Sequence, residues 1–280
     1  MKHRINHTFL LLLSLILFWN CSSDDDNPSQ DNSPKNYFPL VVENQWQYNN
    51  KQTANNETQD TQETLSVANE EQTENGNVFL LDSDNNQTGV SFTSILSNGQ
   101  VYKNEDQLLL TGSVDLGLDQ TEIPDFDIDF ENVVIYNNNA IDGDLMFSED
   151  QNTTLPEFNN ITLNLSLSIE SVSLGNIEEI DVNGEIYEDV IGSQFIVSIG
   201  VDATTTVPPL PFPITVQVIE FQEVINSTNY FANEVGLVQS ETNLNVNFSD
   251  ELNQIPDFNL EDIMVLIEQE LATFQVTLEE

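Results

Sequence analysis

Ile177-Glu178-Glu179-Ile180-Asp181-Val182-Asn183-Gly184-Glu185-Ile186-Tyr187-Glu188-Asp189-Val190 is the stretch on which the fold turns. Residues 177–182 and 186–190 carry the apolar side chains, and Asn183-Gly184 sits between them. Both residues of an Asn-Gly pair accept the positive φ that a type I′ turn requires, so the stretch is read as a β-hairpin. The same dipeptide recurs at Asn75-Gly76 and at Asn98-Gly99. The second of these lies between 90–96 and 101–102, which are expected as strands.

Working outward, strand-like runs continue in both directions. Trp46 and Tyr48 alternate with Gln45 and Gln47. Further strand candidates are 78–81, 133–136, 161–169, 194–201, 214–225, 228–231 and 237–248. Near the C-terminus, Leu260, Ile263, Met264, Ile267 and Leu271 fit a helical period, while Phe274, Val276 and Leu278 alternate. The expectation there is a short helix or loop over 260–266, then a final strand over 267–278. Closely spaced turn signals with little helical period predict an all-β fold. It is read as a single antiparallel β-domain over 37–280, a strongly curved sheet or open barrel, with a β-sandwich as the alternative.

Ile123-Pro124-Asp125-Phe126, Leu155-Pro156-Glu157-Phe158 and Ile255-Pro256-Asp257-Phe258 share a pattern without a fixed period. They are read as proline-marked strand approaches rather than a repeat. Val207-Pro208-Pro209-Leu210-Pro211-Phe212-Pro213 must be a loop, since proline supplies no backbone donor. It is either a rigid loop packed on the domain's end or an exposed apolar tip that touches a partner or lipid.

The N-terminus reads as a targeting segment. Lys2 and Arg4 precede an apolar run from Phe9 to Trp19, too short to span a bilayer, and the chain turns polar immediately after Cys21. Residues 1–20 are expected to be a lipoprotein signal peptide. Cys21 is expected to carry the lipid, and 21–36 to form the lipidated start of an acidic, disordered tether. Ser22-Ser23-Asp24-Asp25-Asp26 resembles the signal that sends some Bacteroidota lipoproteins to the cell exterior. The expected address is therefore the outer membrane, facing outward, with its periplasmic face as the alternative.

Composition removes much chemistry. The 280 residues hold 48 Asp and Glu against 5 Lys and Arg, a formal charge of −43. Two basic residues and both histidines lie within 1–20, and Cys21 is the sole cysteine. Processing at Cys21 would leave only Lys35, Lys51 and Lys103 as basic residues. Without imidazole there is no Ser-His-Asp triad, and without a free thiol there is no cysteine nucleophile. Nucleic acid is excluded as a partner, because its binding needs a basic footprint. Contact with the membrane is expected through the lipid on Cys21.

Tyr37-Phe38-Pro39-Leu40 with Asn44-Gln45-Trp46-Gln47-Tyr48, the segment 182–190, and Tyr230-Phe231-Ala232-Asn233-Glu234-Val235-Gly236-Leu237-Val238 form three patches. Together they resemble a family of flavobacterial-type Bacteroidota lipoproteins that has no assigned activity. The resemblance implies a secreted, β-rich protein and no catalytic residue. That family usually carries Gly where Glu43 stands, and often Pro-Gly where Asn233-Glu234 stands. Trp46 and Tyr48 share one face of a strand and are read as a core wall.

Carboxylate chemistry and hard cations remain. Asp125, Asp127, Asp129 and Glu131 would line one face of a strand, with Phe126, Ile128 and Phe130 on the other. Asp82, Asp84 and Asn86 place oxygens at alternate positions of a loop. These are candidate Ca²⁺ ligands, although neither stretch has the glycine and glutamate spacing of an EF-hand. No cofactor is otherwise expected. Two carboxylates could in principle serve a glycosidase, but no pair stands out. The expected role is non-catalytic: a surface partner or an apolar ligand is bound, or a structural task performed. A Ca²⁺-stabilised adhesion module is the alternative.

Overall fold

The computed structural model describes residues 35–73, 76–84, 89–104, 106–118, 126–155, 161–205, 213–250 and 260–278. Cys21, Asn86, Asp125, the expected signal peptide and the expected tether up to residue 34, most of the proline-rich loop and most of the Pro-Asp/Glu-Phe segments lie outside these residues. Residues 35–280 form one compact unit.

The described residues form twelve strands and one short helix. The strands are β1 (Gln45–Ala54), β2 (Glu57–Thr73), β3 (Gly76–Ser83), β4 (Gly99–Lys103), β5 (Gln107–Asp115), β6 (Asp127–Asn137), β7 (Leu145–Thr154), β8 (Ile161–Val182), β9 (Glu185–Thr205), β10 (Ile214–Ala232), β11 (Gly236–Val246) and β12 (Ile263–Gln275). The helix, α1 (Phe92–Ser97), lies between β3 and β4. All strands join one sheet in the order β6-β5-β4-β3-β2-β1-β12-β11-β10-β9-β8-β7, and every pair is antiparallel. The first and last strands are therefore neighbours, and the two sheet edges, β6 and β7, are consecutive in the chain. The sheet curls into a nearly closed barrel, as the turn spacing predicts.

The deciding hairpin holds to the residue. Val182 pairs with Glu185, and Asn183 and Gly184 have φ of 56° and 83°. A second hairpin of this kind closes on Asn55-Asn56, with φ of 51° and 63°. The separate runs at 161–169 and 177–182 are one 22-residue strand, bent where the register shifts between Ser173 and Gly175.

Two expectations are corrected. Residues 90–96 do not form a strand: Ser91 caps α1, its Oγ accepting from Ser94 N at 3.2 Å, and residues 92–96 are all buried. Six residues long, with Thr93 and Ser94 buried alongside the apolar side chains, it shows no amphipathic period, which is why its sequence reads as a strand. Asn98 closes that helix instead of a hairpin, and Gly99 lies opposite Gly112. A Cβ on Gly99 would stand 2.7 Å from Thr111 O, so the close backbone approach excludes a side chain there. The second correction concerns 260–266. β12 begins at Ile263, and Ile267, Gln269 and Leu271 alternate inward. Pairing on both sides, with β1 and β11, overrides the helical spacing.

The two ends of the barrel differ. One end carries the short turns at 104–106, 183–184 and 233–235, together with Lys35, where the described body begins. The link 138–144 lies at this end too, and the two-residue turn Asn55-Asn56 at the opposite one. The other end carries the α1 connection and the links β5–β6, β7–β8, β9–β10 and β11–β12.

Candidate functional site

The body begins with side chains pinned to two turns. Lys35 Nζ lies 2.5 Å from Asp189 Oδ1, and Tyr37 OH donates to the same oxygen at 2.9 Å. Asn36 N donates to Asn233 Oδ1 at 2.9 Å, and Glu234 N donates to Asn36 O at 2.8 Å. Burial, and then the Asp189 acceptor, hold the Tyr37 phenol well above its ordinary pKa. Lys35 and Asn36, assigned above to the tether, thus sit against the β8–β9 hairpin and the β10–β11 turn.

Behind this end lies an aromatic floor. Phe38 stacks on Trp46 at 4.8 Å between centroids, and Phe231 meets Phe38, Phe92 and Tyr136 edge-on or tilted at 5.2–6.2 Å. Trp46 Nε1 donates to Val235 O at 2.6 Å, and Tyr48 OH to Leu237 O at 3.0 Å. Gly236, at φ 117°, lies under the indole, where a Cβ would come within 2.6 Å of Nε1. Trp46 and Tyr48 are core, as their strand spacing implies.

Above the floor the interior turns polar. Glu63 on β2 is only 1% exposed. Its carboxylate accepts from Asn50 Nδ2 at 2.6 Å, Ser83 Oγ at 2.5 Å and Gln269 Nε2 at 3.0 Å. Gln269 also donates to Thr93 Oγ1 of α1 at 2.7 Å. Burial, then the charge of Glu63 and Tyr187, push the Tyr48 phenol well above its ordinary pKa. A further buried set, Ser227, Asn229, Ser240 and Thr242, is mutually hydrogen-bonded on β10 and β11. α1 and these side chains occupy the concave side of the sheet, where the sequence reading allowed an apolar ligand. Glu63 escaped that reading. Its alternation with Leu65 and Val67, all inward, was the signal available.

Among the described residues, the candidate cation ligands do not come together. Asp82 and Asp84 are exposed at the end of β3, and Asp84 Oδ1 accepts from Thr64 N at 2.6 Å. Asp127, Asp129 and Glu131 are exposed on β6, while Ile128 and Phe130 are buried. The alternation across the strand is therefore as expected. Among the described residues, no three acids, histidines or cysteines are grouped to hold a metal ion.

The remaining feature is the seam between the two sheet edges. Ser171 Oγ of β8 donates to Val134 O of β6 at 2.5 Å, and Phe130 meets Phe195 of β9 at 5.6 Å. β6 thus crosses the β8–β9 pair at the level of Ser171 and Phe195, which are register partners. On β7 that level is Phe147, the partner of Ser171. Beyond it, residues 148–154 pair with β8 on one side and end the sheet on the other.

No family model matches the chain, and no curated protein matches it. Among solved structures, a Parabacteroides distasonis protein provisionally described as a lipoprotein superposes at a TM-score of 0.35 with 10% identity, over 85% of this chain and 99% of its own. A likeness at that level carries no argument for fold or function.

Proposed function

We propose that the chain is a lipid-anchored protein of the bacterial outer membrane, facing the exterior, whose barrel serves a non-catalytic binding or structural role. The observation that carries this reading is positional. The body begins at Lys35, fixed to Asp189 at the short-turn end. Residues 22–34 separate it from Cys21 and can reach at most roughly 45 Å. An anchor on Cys21 would therefore hold the short-turn end nearest the membrane and leave the end with the long links outermost. The absence of Arg and His beyond the first ten residues supports a non-catalytic role.

Two measurements test it. Cells fed a radioactive fatty acid should label the wild type and not Cys21→Ala; an unlabelled wild type removes the anchor. Protease added to intact cells should degrade an exterior protein, whereas full protection assigns the periplasmic face.

A further inference from the structure

We propose that the free edge of β7 accepts an extended, lysine- or arginine-bearing segment of a partner protein as an added strand, seated in the seam between β7 and β6. β7 has ten residues, ends the sheet order among the described residues, and alternates between exposed and half-exposed side chains along most of its length. An edge strand presents a row of unpaired backbone donors and acceptors, and proteins usually guard it with charged side chains, lysine above all, with proline or with a bulge. β7 holds neither lysine nor proline, and its register with β8 is regular from Phe147 to Thr154. The upper part, 148–154, lies beyond the point where β6 crosses β8 and β9.

Charge selects the occupant. Glu149 and Asp150 sit on β7, and the exposed Asp127, Asp129 and Glu131 sit on β6, the opposite border of the seam. No basic residue follows Lys103, so none lies on β6, β7, β8 or β9. A second copy of the chain is a poor occupant, because pairing β7 with itself would set carboxylates against carboxylates. An added cationic strand meets opposite charge on both sides. Its backbone supplies affinity, and its alternate side chains supply selection. This deepens the binding reading above and is separable from the anchor: Cys21 labelling can succeed while the peptide fails, and the reverse.

The probe is a synthetic peptide of about ten residues alternating Lys and Thr, matched to the length of β7, added to the purified full-length protein. Binding should be saturable and weakened by salt, and amide exchange should slow at residues 148–154. The double variant Glu149→Lys, Asp150→Lys should bind at least roughly ten-fold more weakly at an unchanged melting temperature. The same peptide N-methylated at alternate residues keeps its charge but cannot form a ladder. Its failure to bind supports strand addition. Equal binding by the N-methylated peptide, or absence of protection on β7, overturns the proposal. So does a dimer whose β7 edge is already protected without peptide.

Discussion

Trp46 and Glu63 lie on neighbouring strands, two residues apart in register, and their surroundings follow opposite principles. Trp46 pairs with Leu65, and Tyr48 pairs with Glu63. On the Trp46 side the interior is aromatic, and the few polar atoms each find one backbone carbonyl. On the Glu63 side a buried carboxylate is satisfied by two amides and a hydroxyl, with no basic side chain among its partners. The first region is held by burial of apolar area, which is tolerant of small shifts. The second depends on every donor being present, because an unmet buried polar group costs the full desolvation penalty. The same barrel thus has a floor that should lose stability in proportion to volume removed, and a polar level that should fail when one partner is lost.

The largest effect expected is at the floor. Trp46→Ala removes a fully buried indole stacked on Phe38 and should cost about 3–5 kcal/mol. Gly236→Val should be comparable or worse, since it adds a β-branched side chain at φ 117° directly under that indole. Denaturant unfolding measures both, and an unchanged midpoint for Trp46→Ala would contradict its place in the core.

Next comes the polar level. Glu63→Ala leaves Asn50, Ser83 and Gln269 without their shared acceptor and should cost about 2–4 kcal/mol. Glu63→Gln preserves volume but places an amide donor among three donors, and should still cost about 1–3 kcal/mol. If Glu63→Gln unfolds at the wild-type midpoint, the charge is not what organises this level, and the contrast with Trp46 collapses.

This contrast also explains what was legible in the sequence. The Asn183-Gly184 turn, the Trp46 and Tyr48 face, and the Phe126/Ile128/Phe130 alternation could be read because a strand's period of two is visible when one face is apolar. β2, β5 and β7 were not among the expected strands. β2 carries Glu63 where an apolar residue would mark the inward face, and β7 is polar along most of its length. α1 was hidden because it is too short for a helical period and buries its polar Thr93 and Ser94 together with its apolar residues. Of the candidate sites, the acidic row on β6 was legible as a row. That it lies on an end strand of the sheet required the sheet order, which local patterning does not encode.

A pH titration with one substitution tests the buried phenols. The phenols of Tyr37 and Tyr48 are held well above their ordinary pKa, and that of Tyr187 is pushed up to about 12, chiefly by burial. Their folded pKa values exceed the unfolded value of about 10, so the native state binds these protons more tightly. Their stabilising contribution is complete below pH about 10 and is lost as pH rises further. The melting temperature should fall above that pH. Tyr48→Phe should flatten the fall, after an initial loss of about 1 kcal/mol for the bond to Leu237 O. A Tyr48→Phe curve with the same alkaline slope as wild type would assign the effect to Tyr37 and Tyr187 instead.

The smallest effect concerns the turns that flank the floor. Glu43 has φ 76° and Glu234 has φ 62°, in the left-handed region that costs an L residue roughly 1–2 kcal/mol. Glycine adopts that region without steric cost, so glutamate here holds a backbone geometry that glycine serves. Glu234 N still donates to Asn36 O, which keeps the turn attached to the start of the body. Glu234→Gly relieves the strain but adds chain entropy to the unfolded state, which returns part of the gain. The net expectation is a stabilisation of roughly 0.5 kcal/mol, with Glu234→Ala neutral or slightly destabilising. Urea midpoints for the wild type and both variants decide it. A glycine variant less stable than the alanine one would mean that the glutamate side chain, rather than the backbone, holds the turn.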